Sequence, residues 1–277
     1  MTTGADDAEA TPEDWFDANR QMWDERVPIH VDSDFYRVDD FKAGRSTLEP
    51  FEIDEMGPVR DRELVHLQCH FGLDTLSWAR LGARVTGLDF SGPAVDEAAR
   101  LARECGIDAR FVAANVYEAL EVLDHRYDIV YVNLGALNWL PDIWRWAEIV
   151  ASLLRPGGCL YLREAHPFAD VFADEQLAVE YDYFADAEPL TWEDAGTYAD
   201  PDAPTVHNRS FEWQHPISEV VSAVLAQGLH LDLLHEQPYT VFQRWPFLER
   251  HDDGTFWMPD DRPLLPLMYT LKATKVG

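Results

Sequence analysis

The hydrophobic and polar positions between about residues 61 and 164 follow a repeated order of short apolar runs and longer amphipathic segments. The apolar runs are typical of buried strands and lie at residues 64–68, 84–88, 109–113, 127–132 and 159–163. Helical periodicity marks the segments at 73–81, 91–104 and 143–154. Strands separated by such helices predict right-handed crossovers and a parallel sheet that is covered on both faces.

Before this region, the stretch Thr11-Pro12-Glu13-Asp14 predicts the start of a helix. Its threonine suits the N-cap, its proline the first helical position and its carboxylates the positive end of the helix dipole. We expect residues 27–58 to be rich in loops, and the first ten residues to be disordered.

After residue 164 the alternation stops. Residues 165–213 are acidic and aromatic and show no clear period. A helix is predicted at 217–227, and strands at 230–235 and 267–273. The connection at 236–266 suits a loop between antiparallel neighbours.

The composition adds a cellular context to this pattern. Of the 277 residues, 47% are hydrophobic, which is enough for a buried core. The apolar runs are short and interrupted by charges, so no transmembrane segment is expected. The beginning MTTGADDAEATPED has no basic start and no apolar stretch, so we expect a cytoplasmic protein.

The net charge disfavours some classes of partner, and the cysteine content disfavours two kinds of stabilising site. The 51 acidic and 22 basic residues give a net charge of −29, so nucleic acid and membrane surfaces are disfavoured partners. The three cysteines, at 69, 105 and 159, form no CxxC pair. They favour small core residues over a disulfide framework or a zinc site.

Polar residues follow the predicted strands at the sheet edge where ligands bind in such folds. The sequence QCHFG follows the first strand, Asp89 the second, Asn115 the third and Asn133 the fourth. A carboxylate about twenty residues after the loop suits the two hydroxyls of a ribose. The loop lacks the glycines that a pyrophosphate requires, whereas a phosphate-free cofactor needs one close backbone approach, which Gly72 can supply.

Four segments carry a resemblance to the class I S-adenosylmethionine-dependent methyltransferases. They are "LVHLQCHFGLDTLSWARLGARVTGLDFS", "ARFVAANVYEAL", "YDIVYVNLGALNWLPD" and "LLRPGGCLYL", and the resemblance spans about residues 61–164. It implies an α/β, Rossmann-like doubly wound sheet of seven strands, mostly parallel with an antiparallel last strand, and helices on both faces. It divides the chain into an N-terminal helical lid segment (1–60) and a methyltransferase domain (61–277), with an insertion at 165–213 and a loop at 236–266.

The resemblance also implies roles in binding S-adenosyl-L-methionine. Asp89 should hold the ribose, Phe90 should pack beside the adenine, and Asn115 with the Val116 amide should contact the adenine edge. Asn133 and Leu134 should border the methionine portion.

The chain departs from the family pattern in the first strand and its loop. His66 replaces an acidic residue, and Gln68 and His70 replace glycines. Side chains at glycine positions restrict the backbone and crowd the sulfonium. Either both side chains point away from the ligand and pack locally, or His70 reaches the sulfonium end of the cofactor.

Methyl transfer is an in-line displacement, in which a general base is useful but not obligatory. His166 and His215 are candidate bases, and the alternative is that they cap or bridge loop backbone. Tyr36, Trp139 and Trp213 are candidate substrate contacts, and the alternative is that they pack in the core.

Several further expectations concern the substrate. An aromatic, acidic lid suits a small, uncharged, aromatic or cationic acceptor. The stretch after the fourth strand lacks the Asn/Asp-Pro-Pro-aromatic signature of enzymes that methylate nucleobases, and no metal-ligand spacing occurs. We expect a monomer or homodimer that methylates O, N or S of a small molecule. The alternatives are a non-catalytic nucleoside-binding protein and an enzyme that uses the cofactor for another reaction.

Overall fold

The computed structural model describes residues 11–173, 175–184 and 188–277, so the prediction for the first ten residues lies outside the described part. Its helices are α1 (Pro12–Asp32), α2 (Val38–Lys42), α3 (Pro50–Met56), α4 (Leu73–Arg80), α5 (Gly92–Cys105), α6 (Ala119–Val122), α7 (Ile143–Leu153) and α8 (Ile217–Ala226). Its strands are β1 (Glu63–Leu67), β2 (Arg84–Asp89), β3 (Ala109–Ala113), β4 (Tyr127–Asn133), β5 (Leu154–Ala165), β6 (Leu190–Glu193), β7 (Arg209–Glu212), β8 (Leu229–Gln237), β9 (Tyr239–Thr240), β10 (Glu249–Arg250), β11 (Phe256–Trp257) and β12 (Met268–Lys275).

Seven strands form the central sheet, in the order β3-β2-β1-β4-β5-β12-β8. β1 to β5 are parallel, and β12 runs antiparallel to both β5 and β8. The predicted fold class is therefore confirmed, including the antiparallel last strand. The strand order reverses between β1 and β4, and the carboxyl ends of these strands form the edge at which ligands bind in such sheets.

Helix α1 is longer than the sequence indicated. Its start is as predicted, with a capping box between Thr11 and Asp14. The prediction that residues 27–58 are rich in loops is wrong, because α1 continues through Pro28 to Asp32 and two short helices follow. Asn19 bonds to the backbone of Phe211 in both directions, and these tertiary contacts hold the helix along β7.

The acidic region after β5 contains short antiparallel pairs that periodicity did not reveal. β6 pairs with β7, and a separate small sheet has the order β10-β11-β9. The small sheet belongs to the connection between β8 and β12, which are antiparallel neighbours as predicted. The division into a lid segment and a methyltransferase domain stays a prediction.

Two apolar layers cover the sheet. One face packs against α7 and α8, with the fully buried Trp146 at its centre. The other packs Trp78, Tyr131 and Tyr161 beneath the N-terminal segment. All three cysteines are free, and Cys69 and Cys159 are buried. Within residues 11–173, 175–184 and 188–277, no helix combines the length and the apolar character needed to cross a bilayer.

Candidate active site

A cleft of about 1090 Å³ lies at the carboxyl edge of the sheet. The elements around it are the ends of β1, β2, β4 and β5, the insertion after β5 and the connection that carries the small sheet. The predicted site residues that line it are Tyr36, Gln68, His70, Gly72, Asp89, Phe90, Asn115, Val116, Asn133, Leu134, Trp139, Trp213 and His215. His166 is not among the described residues that line it.

The loop after β1 adopts a glycine-like backbone without the glycines. Gln68 has φ 57° and His70 has φ 50°, both in the left-handed region. Such conformations cost non-glycine residues of order 1–3 kcal/mol and persist where the surroundings enforce them. Gly72 has φ +80°, and a Cβ on it would lie 2.8 Å from a ring carbon of Phe111. Packing of the loop on β3 therefore requires this glycine, quite apart from any cofactor.

Both unusual side chains are held by the protein itself. Gln68 Nε2 donates to the carbonyl of Ala136 at 2.7 Å, which ties the loop to the segment after β4. His70 Nε2 lies 2.9 Å from His30 Nδ1, so one ring donates and the other accepts. The His70 ring also meets the edge of Trp23 at 5.2 Å. These contacts agree with the local-packing alternative for Gln68 and His70.

His30, which the sequence analysis missed, links three parts of the chain. Its Nε2 lies 2.7 Å from Thr197 Oγ1 in the acidic insertion, while its Nδ1 contacts the loop. Burial, with a smaller effect of Arg26, lowers the pKa of His30 to about 4. Burial, with a smaller effect of His30, also lowers the pKa of His70, so both rings of the pair are neutral at neutral pH. Tyr36 stacks on His30, and its hydroxyl bonds to that of Tyr198.

Asp89 has the geometry expected of a residue that holds a ribose. The carboxylate is buried, and it accepts hydrogen bonds from the backbone N–H of His70 at 2.7 Å and of Ser91 at 2.9 Å. Each oxygen retains a lone pair that can accept a further hydrogen bond. Burial, opposed by these backbone bonds, raises the pKa of Asp89 to about 6.

Asn115 and its neighbours form the adjacent wall of the cleft. Asn115 Oδ1 accepts from the backbone N–H of Tyr117 at 3.0 Å and caps a short 3₁₀ turn that begins at Val116. One lone pair of this oxygen is thus already used. Val116 is buried, and Phe90 is half-buried.

At the end of β4, Asn133 and Leu134 line the cleft. Asn133 Nδ2 donates to Asp74 at 2.6 Å, while its Oδ1 is buried without a partner. Burial raises the pKa of Asp74 to about 6. Leu134 has φ 38°, and its N–H donates to the carbonyl of Arg163 at 2.7 Å. The backbone here is held in place by the neighbouring strand.

The two histidines predicted as general bases make the contacts of loop-bridging residues. His166 Nε2 lies 2.9 Å from Glu236, and its Nδ1 accepts from the Phe168 N–H at 3.1 Å. His215 Nε2 lies 2.7 Å from the Leu140 carbonyl, and its Nδ1 lies 3.0 Å from Glu219. Both ring nitrogens of each residue are engaged, so the base role of both stays a prediction.

The aromatic candidates for substrate contact are also anchored in the surrounding wall. Trp139 packs edge-on against Trp23, with ring centroids 5.5 Å apart. Trp213 packs against Trp15 at 5.4 Å, and its buried Nε1 has no partner. Together they form an apolar wall on the α1 side of the cleft.

Three charged residues near the end of β5 line the cleft and were not predicted. Glu164 accepts from the backbone N–H of Gly135, Ala136 and Leu137, so it shapes the turn after β4. Arg163 forms a buried ion pair with Glu52 at 2.7 Å. Asp170 lies 3.8 Å from Arg244.

The Asp170 side chain is about half exposed and lines the cleft. The walls of the cleft raise its pKa to about 7 against the effect of Arg244. Only Glu164 had a sequence signal, because it directly follows the strand predicted at 159–163. No three histidine, cysteine, aspartate or glutamate side chains within the described ranges are arranged to hold a metal ion.

Comparison with known proteins finds likenesses to methyltransferases in the part of the chain that forms this cleft. Residues 65–160 match the model of a methyltransferase domain. The ubiquinone biosynthesis O-methyltransferase of Serratia proteamaculans is 30% identical over 105 residues, which are 38% of this chain and 43% of that enzyme. The chain spans about half the length of most of the curated relatives that it matches.

Solved structures share the fold at low identity. The CcbJ methyltransferase of Streptomyces caelestis superimposes with a TM-score of 0.61 at 16% identity, covering 93% of this chain and 98% of that one. The 1,6-didemethyltoxoflavin-N1-methyltransferase of Burkholderia thailandensis gives 0.54 at 19% identity, covering 99% and 94%. Residues 65–160 therefore match a methyltransferase domain, and the sheet that contains them has the fold of these methyltransferase structures.

Proposed function

We propose that this chain transfers the methyl group of S-adenosylmethionine to an oxygen, nitrogen or sulfur of a small molecule. The observation that carries the proposal is the environment of Asp89. Its buried carboxylate closes β2, keeps two lone pairs for ribose hydroxyls and anchors the loop that faces the same cleft. A carboxylate is costly to bury, and recognition of a ligand gives a reason to retain it.

The polar atoms of the cleft fit the cofactor. Gln68 Oε1 and Asn133 Oδ1 are buried and have no partner, although native proteins usually satisfy such atoms. Gln68 Oε1 lies in the loop after β1 and Asn133 Oδ1 at the end of β4, and both can accept a hydrogen bond from an ammonium group. We therefore assign the ribose to Asp89, the adenine side to Phe90, Asn115 and Val116, and the amino-acid side to Asn133 and Leu134.

When bound, S-adenosylmethionine supplies an electrophilic methyl carbon on a sulfonium. The protein has to place the acceptor about 3 Å from that carbon, in line with the leaving sulfur. Trp139 and Trp213 offer apolar surface for an acceptor that enters from the α1 side. The turn after β4, fixed by Glu164, sets the position of the backbone at that point.

Asp170 is the residue best suited to take a proton from the acceptor. A general base works best when its pKa is near the working pH, and that of Asp170 is about 7. His166 and His215 have both ring nitrogens engaged by other groups. We therefore propose Asp170 ahead of either histidine.

The acceptor is proposed from the shape and lining of the cleft. Its volume of about 1090 Å³ leaves room for a small molecule beside the cofactor, and its walls contain both aromatic and charged side chains. A related protein is named an O-methyltransferase and a structural neighbour an N1-methyltransferase, so both acceptor atoms remain in the proposal. A cytoplasmic location, and a monomer or homodimer, are proposed from composition alone.

The test combines cofactor binding with turnover. We expect S-adenosylhomocysteine to bind in calorimetry, and S-adenosylmethionine to be converted to S-adenosylhomocysteine with some members of a panel of phenols, amines and thiols. Asp170→Asn should lower turnover on any acceptor that must lose a proton, by about 10²–10⁴-fold, at unchanged cofactor affinity. Absence of binding would contradict the proposal, whereas binding without turnover on the panel would favour a non-catalytic binding protein.

A further inference from the structure

The floor of the cleft contains a charged side chain whose hydrogen-bonding capacity is only partly used. Arg163 is 3% exposed and lines the cleft. Its Nη1 donates to Glu52 at 2.7 Å, whereas its Nε and Nη2 are buried and have no partner. An unsatisfied buried donor costs about 1–3 kcal/mol, and more when it is charged, so two on one side chain require an explanation.

The two free donors belong to the same edge of the guanidinium. The group is planar with five N–H bonds in a fixed fork, and Nε–H and one Nη2–H point in parallel on the side away from Nη1. Two parallel N–H bonds match the two oxygens of a carboxylate. The ion pair with Glu52 uses the other side of the group and holds it in place.

Neighbouring side chains hold the Arg163 guanidinium in place at the floor of the cleft. The guanidinium lies over the ring of Phe51, 5.2 Å from its centroid. Glu52 is fully buried and also accepts from the hydroxyl of Tyr131 at 2.8 Å, so the partner is fixed from both sides. On the neighbouring strand, Asn133 lies in register with Arg163 and carries the unpartnered Oδ1.

Resting on the proposed function, we infer that Arg163 binds a carboxylate group of a ligand in the cleft through Nε–H and Nη2–H. The carboxylate has two sources, the amino-acid end of the cofactor and a carboxylate on the methyl acceptor. Asn133 Oδ1, next to it on the sheet, suits a donor on the same ligand. A lysine cannot replace the arginine, because one ammonium cannot both pair with Glu52 and present a two-pronged edge.

The test uses Arg163→Lys, which keeps the charge beside Glu52, and Arg155→Lys as the matched control. Arg155 lies at the other end of β5, pairs with Asp128 at 3.0 Å and is not among the described residues that line the cleft. The titrants are S-adenosylhomocysteine, 5′-methylthioadenosine, which lacks the amino-acid end, and the pair benzoate and benzamide. Thermal unfolding checks that each variant is folded. If Arg163→Lys does not fold, the double variant Glu52→Gln with Arg163→Gln, which removes both partners of the ion pair, takes its place.

If the cofactor supplies the carboxylate, Arg163→Lys weakens the binding of S-adenosylhomocysteine by about 10- to 100-fold and leaves the affinity for 5′-methylthioadenosine unchanged. If the acceptor supplies the carboxylate, the affinity of Arg163→Lys for S-adenosylhomocysteine is unchanged, and the preference of the wild type for benzoate over benzamide is lost. The proposal is overturned if neither change occurs, if the affinity for 5′-methylthioadenosine falls as much as that for S-adenosylhomocysteine, or if Arg155→Lys has the same effect as Arg163→Lys. Failure of the wild type to bind S-adenosylhomocysteine would contradict the proposed function, and the benzoate arm would still decide the role of Arg163.

Discussion

Replacing Asp89 by alanine should weaken cofactor binding by a calculable amount. The carboxylate oxygens already accept from the N–H groups of His70 and Ser91, and the proposed cofactor adds one ribose hydroxyl to each. A hydrogen bond to a charged group contributes about 1.5–3 kcal/mol, so two contribute about 3–6 kcal/mol. At about 1.4 kcal/mol for each factor of ten, the dissociation constant should rise about 10²- to 10⁴-fold.

The same substitution has two opposing effects on stability. Alanine leaves the N–H groups of His70 and Ser91 without their acceptor, at about 1–3 kcal/mol each. However, burial raises the pKa of Asp89 from 3.8 to about 6, so keeping it ionised at neutral pH costs about 3 kcal/mol, which alanine removes. These terms are similar in size, and we expect the variant to fold.

The assay is titration calorimetry with S-adenosylhomocysteine at pH 7.5, with thermal unfolding measured in parallel. Asp124→Ala is the control, because that carboxylate is 76% exposed and pairs with Arg110 away from the cleft. Asp89→Asn should also lose affinity, since its amide N–H₂ would face a backbone N–H donor. A folded Asp89→Ala variant that binds within threefold of the wild type would refute the assignment of the ribose to Asp89.

Three further predictions concern the loop and its partners. S-adenosylhomocysteine affinity should fall about tenfold per pH unit below about 6, where Asp89 gains a proton and ceases to accept from both hydroxyls, and calorimetry from pH 5 to 8 that shows no decline would contradict this. His30→Ala leaves His70 and Thr197 without their buried partner and should lower the free energy of unfolding by about 2–4 kcal/mol in urea titrations at pH 8. Because the pKa of His30 is lowered from 6.5 to about 4, its contribution to the free energy of unfolding is complete above about pH 6.5 and is lost as the pH falls toward 4. A difference in stability between the wild type and His30→Ala that grows on acidification would contradict this prediction. His70→Gly relieves one positive-φ residue and keeps Gln68 Oε1, so S-adenosylhomocysteine affinity should stay within about threefold, whereas a large loss of turnover at unchanged affinity would place His70 at the reacting centre.

The sheet was predictable because each strand carries its own apolar run. β3 has the predicted bounds, and the positive φ of Gly106 ends α5 where the sequence indicated. In contrast, residues 27–58 were expected to be rich in loops, and the sequence pattern does not report the contacts between α1 and β7 that accompany the continuation of α1 to Asp32. The pair β6 and β7 is too short to show a period.

The sequence predicted those residues of the candidate site that can be found from their position directly after a strand. Asp89, Asn115 and Asn133 follow strands that end at the cleft, and all three line it. His166 also follows a strand, yet its N–H still pairs with the Leu267 carbonyl, and its ring turns toward Glu236 on β8. Arg163 was missed because its significance lies in the two donors that Glu52 leaves free, and no sequence pattern reports a missing partner.

The most direct test of the central claim is a crystal structure of the protein with S-adenosylhomocysteine. The proposal predicts both ribose hydroxyls within hydrogen-bonding distance of the Asp89 carboxylate, the adenine beside Phe90 and Asn115, and the sulfur facing the cleft near Leu134. A ligand bound elsewhere, or bound in the cleft with its ribose away from Asp89, would contradict it.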